Sequence, residues 1–77
     1  MSISIEAVKL INKNIEGTTI YFSAENVVVE LVARTKVFSA GLLARVLIEC
    51  LEAYLKEGNL TKAKFTAEMI VVVLGNY

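Results

Sequence analysis

The chain has 77 residues, 56% of them apolar, with eight basic and eight acidic side chains and no formal net charge. That balance excludes disorder, which requires low hydrophobicity and high net charge. It also lacks the basic excess behind strong non-specific binding to nucleic acid or anionic lipid. A single cysteine, Cys50, excludes a disulfide scaffold, and 77 residues hold one small domain, 1–77.

The N-terminal segment, about Ile3 to Glu16, places Ile5, Val8, Ile11 and Ile15 at spacings of three, three and four. This predicts an amphipathic helix capped by Ser2 or Ser4, with Glu6, Lys9 and Lys13 on another face. Gly17 follows where a C-cap glycine would sit. Thr18-Thr19-Ile20-Tyr21-Phe22 is β-branched and aromatic and reads as a short strand, 18–22. Ser23 is the next cap. Ala24, Val27, Val28, Leu31 and Val32 match the helical template over Ala24 to Thr35, and Glu30 and Arg34 form an i,i+4 pair. Val27, Val29, Leu31 and Ala33 also alternate with polar residues, which leaves a second strand open.

Ser39 caps a helix from Ala40 to Glu57 that stops at Gly58. The last segment, Thr61 to Leu74, carries Leu60, Ala63, Ala67, Ile70 and Leu74 at spacings of three and four, a short heptad seam ended by Gly75. The fold expected is mainly α: three to four short helices with one short strand.

The helix Ala40–Glu57 carries the most information. Arg45, Glu49, Glu52 and Lys56 form one narrow charged stripe, and most of the remaining surface is apolar. Asn26, Glu30 and Arg34 do the same for 24–35. A surface helix normally has the opposite proportions. The expectation is an obligate homo-oligomer, an intertwined or bundle-like homodimer. Its shared core would comprise Val28, Leu31 and Val32 from one helix, and Leu43, Val46, Leu47, Cys50, Leu51 and Tyr54 from the other.

Little chemistry is on offer. With no His there is no usual base for a Ser or Cys nucleophile, and Cys50 lies among Ile48, Leu51 and Ala53 as a core filler. Glu49 and Glu52 are flanked by Arg45 and Lys56, a salt-bridge stripe and not a metal site. No catalytic, cofactor-binding or metal-ligating residue is expected, and no cofactor. No uncharged run approaches the ~18 residues of a membrane span. The N-terminus lacks a signal-peptide pattern, so the expected place is the cytoplasm.

Strand 18–22, Ser23, helix 24–35, Ser39 and helix 40–57 occur in an order that resembles ribbon-helix-helix transcriptional regulators, over about half the chain. The resemblance implies that the strand pairs with that of a dimer mate, with Thr18, Ile20 and Phe22 facing the core. Thr19 and Tyr21 would enter the DNA groove, and the amides at Ser39 and Ala40 would meet a phosphate. The sequence departs from that pattern in having no Lys or Arg on the strand and no glycine before the second helix. The leading functional expectation is a non-catalytic homo-oligomeric interaction or regulatory module. A dimeric DNA-binding regulator is the alternative, and a carrier holding an apolar ligand in the dimer core is a third.

Overall fold

The computed structural model describes residues 2–76. The elements are α1 (Ile3–Asn14), β1 (Ile15–Glu16), β2 (Thr19–Ile20), α2 (Ala24–Thr35), α3 (Ala40–Glu57) and α4 (Leu60–Asn76).

The helix starts follow the polar caps. Ser2, Ser23 and Ser39 accept hydrogen bonds through Oγ from the backbone N–H of Ile5, Asn26 and Leu42, at 3.4, 3.2 and 3.2 Å. Asn59 Oδ1 does the same for Lys62 at 3.2 Å. Each cap satisfies a donor that a helix start leaves orphaned. Gly58 ends α3 in the left-handed region (φ 74°), and the N–H of Asn59 returns to the Tyr54 carbonyl at 2.9 Å. At the end of α2 that conformation falls to Lys36 (φ 58°), a side-chain-bearing residue where glycine is favoured.

Helix α1 is shorter than the apolar spacing suggests. Ile15 and Glu16 leave it and pair antiparallel with Ile20 and Thr19. Gly17, at φ 64° in the first central position of the two-residue turn, is the residue that lets the chain reverse. The strand expected at 18–22 is thus reduced to Thr19–Ile20, and its partner lies in the same chain. Thr18, Ile20 and Phe22, expected to face a core, are exposed. With only two residue pairs, the hairpin has no second face to bury.

The buried row of α1 is Ala7, Leu10, Ile11 and Asn14; Ile5 and Val8 of the expected face are exposed. Helix α2 buries Ala24, Val27, Val28, Leu31 and Val32, and the strand reading of this segment is overturned. In α4 the core row is Phe65, Thr66, Met69 and Val73. Of the expected seam only Ala63 is buried; Ala67 and Ile70 are half-buried, and Leu60 and Leu74 are exposed. Gly75 lies inside α4 and does not cap it.

The helices form a four-membered bundle. α1 packs on α2 and α3, and α4 packs on α3 and α2, so the consecutive helices α2 and α3 sit on a diagonal. α1 and α2 run antiparallel: Glu6 meets Arg34 near one end, and Asn14 meets Phe22 near the other. Tyr54 Oη donates to Asn12 Oδ1 at 3.2 Å, and Ile20 shares a groove with Leu60, Thr61 and Phe65. The β-hairpin, the end of α3 and the start of α4 therefore gather at one end of the bundle.

Candidate functional site

The nine residues expected at a dimer core are packed inside one chain. Val28, Leu31, Val32, Leu43, Val46, Leu47, Cys50 and Tyr54 are buried, and Leu51 is half-buried. They are covered by α1 and α4, which supply the apolar area that a partner was expected to bring. The total accessible surface, 4674 Å², equals the roughly 4,700 Å² that mass scaling gives an 8.5 kDa folded monomer. In this structure the core is closed within one chain.

What the chain leaves uncovered is a set that shares only half-buried Leu51 with those nine. On α3, Ile48, Leu51 and Leu55 form one row at i, i+3 and i+7; Ile48 is 45% and Leu55 52% exposed. On α4, Leu60, Ala67, Ile70 and Leu74 form another, with Leu60 70% and Leu74 65% exposed. The two helices are an antiparallel hairpin linked through Gly58 and Asn59. Tyr54 near the end of α3 reaches Asn12 of α1, and Leu60, Thr61, Lys64, Phe65 and Glu68 of α4 flank the β2 side. Helical geometry puts the α3 row and Ala67, Ile70 and Leu74 of α4 along the outer α3–α4 seam, with Leu60 at the end that meets β2. The charged stripe Arg45, Glu49, Glu52 and Lys56 borders the α3 row on its solvent side. The result is an apolar strip carrying no charge of its own, edged by charge, the composition associated with protein interfaces. The heptad spacing of α4 was visible in the sequence; what it marks is this outer strip and not the chain's own core.

The two residue pairs implied by the ribbon-helix-helix resemblance fall apart. Thr19 and Tyr21 are exposed on and beside the hairpin. Ser39 and half-buried Ala40 open α3, whose far end lies beside that hairpin. Eighteen helical residues span about 27 Å, nearly the 29 Å long axis of the protein. One chain therefore does not present these residues as a single surface.

Four ionisable groups, Glu6, Lys9, Glu30 and Arg34, serve a structural network. Glu6, largely buried on α1, receives Lys9 at 3.7 Å and Arg34 at 3.8 Å, and Arg34 also meets Glu30 at 3.0 Å, the i,i+4 pair expected from the sequence. This network ties α1 to α2. Burial raises the Cys50 thiol pKa, with a smaller contribution from the Glu49 charge, which makes it a poor nucleophile. Burial likewise pushes the Tyr54 phenol up to about 12, with Cys50 and Glu57 adding to it. Among the described residues, no group of three or more His, Cys, Asp or Glu is placed to hold a metal ion. No helix among them is long and apolar enough to cross a membrane. No family model, no curated protein and no solved structure matches the chain.

Proposed function

We propose that the protein is a non-catalytic interaction module that works as a homodimer, joined along the α3–α4 seam. The observation that carries this reading is the uncharged strip of Ile48, Leu51, Leu55, Leu60, Ala67, Ile70 and Leu74. Two such strips related by a two-fold axis are self-complementary, as a closed dimer requires. A standard interface takes about 800 Å² from each partner, roughly one sixth of the 4674 Å² surface. The dimer so formed is a pair of bundles in contact. It leaves the opposite α1–α2 face free for a regulatory partner.

The test is Leu60→Glu combined with Leu74→Glu, measured by sedimentation equilibrium and far-ultraviolet circular dichroism. The expected result is a wild-type dimer and a monomeric double variant with unchanged helix content and cooperative unfolding. Wild-type protein that is monomeric at micromolar concentration, or a double variant that stays dimeric, overturns the reading. Leu47→Glu is not a substitute: it puts a charge in the chain's own core and unfolds the protein whatever its oligomeric state.

A further inference from the structure

On the side of the bundle opposite the α3–α4 seam, α1, α2 and the segment entering α2 enclose a groove of about 430 Å³. That lies within the roughly 300–1,000 Å³ of small-molecule sites. Buried Leu10 and Val27 form its floor, and Tyr21 and Phe22 supply two aromatic side chains, both more than half exposed. The main chain that carries the aromatic wall is held before any ligand arrives. Asn14, 4% exposed, donates through Nδ2 to the Phe22 carbonyl at 3.0 Å and accepts the Phe22 N–H on Oδ1 at 2.7 Å. The Asn14 carbonyl also accepts the Tyr21 N–H at 3.2 Å.

The rim of this groove carries two cations, Lys13 and Arg34. Lys13 lines it and has no ion-pair partner among the described residues. Arg34 directs Nε to Glu30 and Nη1 to Glu6, and a guanidinium has further donors to offer. Apolar floor, aromatic wall and an unpaired cation together define an amphipathic anion. Glu30, also in the lining, would repel a second negative charge.

We infer that this groove binds a small aromatic monocarboxylate, its ring against Tyr21, Phe22, Leu10 and Val27 and its carboxylate at the Lys13 ammonium. The site is complete within one chain and does not depend on the dimer.

The experiment is a titration of the ¹⁵N-labelled full chain with 2-naphthoate and with its neutral isostere 2-naphthamide, followed by amide chemical shifts. Saturable shifts centred on Leu10, Asn14, Phe22 and Val27, with naphthoate the tighter ligand, are expected. Lys13→Met weakens naphthoate by about fivefold, the value of one partly solvated charge pair, and naphthamide by less than about twofold. Phe22→Ala weakens both. Equal affinity for the two compounds, indifference to Lys13→Met, absence of saturable binding, or shifts centred on Ile48, Leu55 and Leu60 overturns the inference.

Discussion

Asn14 is the polar residue on which the first half of the fold turns, and replacing it tests how the hairpin is held. It is buried at the end of α1, and its amide closes a two-bond ring with the main chain of Phe22, at 3.0 and 2.7 Å. In Asn14→Ala both bonds disappear. Each contributes about 1 kcal/mol net, so the loss is about 2 kcal/mol. The partly buried N–H and C=O of Phe22 then find water only in part, which adds up to about 1 kcal/mol for each, giving about 2–4 kcal/mol in all. A domain of this length has roughly 4–12 kcal/mol of total stability. Urea unfolding followed by circular dichroism is the assay. With a slope near 1 kcal/mol/M for a small protein, the midpoint falls by about 2 M or more. Asn14→Asp sharpens the test. Its carboxylate still accepts the Phe22 N–H but faces the Phe22 carbonyl without a donor, so the folded state prefers the protonated acid. Its deficit relative to wild type shrinks as pH falls through that raised pKa. A loss below about 0.5 kcal/mol for Asn14→Ala, or an Asp deficit that does not change with pH, refutes the role given to this side chain.

Lys36→Gly removes the left-handed strain at the end of α2 and raises the urea midpoint, with a gain of up to about 1 kcal/mol after the extra unfolded-state entropy of glycine. The Tyr54 phenol is held neutral, with its pKa raised from 10.0 to about 12. Its contribution is full below pH 10 and is lost as pH climbs from 10 toward 12. Over that window Tyr54→Phe loses less stability than wild type in parallel urea titrations. Cys50, buried with a raised pKa, reacts with a disulfide reagent at the rate of global opening. Labelling at the speed of a free thiol in native buffer would show that α3 is exposed there. Leu47→Ala costs about 2–5 kcal/mol of chain stability, whereas Leu60→Ala leaves dilute monomer unchanged and raises the dimer dissociation constant.

Elements whose ends are marked by local chemistry were legible in the sequence. Ser23, Ser39 and Gly58 cap helices because a hydroxyl or a missing Cβ solves a problem confined to a few neighbouring residues. The Val27–Val28–Leu31–Val32 row of α2 held because the polar stripe Asn26, Glu30 and Arg34 marks its other side. Tertiary pairing decided the rest. Ile15 fits both the helical spacing from Ile11 and a strand facing inward, and only its pairing with Ile20 selects the strand. In α4 apolar residues occupy nearly every side of the helix. Leu60–Ala67–Leu74 and Phe65–Met69–Val73 are equally regular, and periodicity alone ranks neither above the other. Asn14 was invisible for a related reason: a buried amide is recognised by the backbone it meets, and Phe22 lies eight residues away. The groove lined by Lys13, Tyr21 and Val27 joins two helices and a loop, so no contiguous motif could announce it.

The apolar excess takes a different meaning once the chain is folded. Its accessible area is that of an ordinary monomer of its mass, so α2 and α3 are not left bare for want of material. The surplus shows in which atoms occupy that area. Helix α3 confines Arg45, Glu49, Glu52 and Lys56 to one stripe, and on α4 Lys64 and Glu68 border Leu60 in the groove beside β2. Covering the seam between those charges would require no core residue to change place. An intertwined dimer would couple folding to association, because Leu47 and Val28 would have to cross between chains. In this bundle they meet α1 and α4 of the same chain, so the residues that fold the protein and those proposed to pair it overlap only at the half-buried edge, at Leu51, Ala67 and Ile70. Under the proposed pairing folding precedes assembly, and dilution is expected to dissociate the proposed dimer without unfolding its chains.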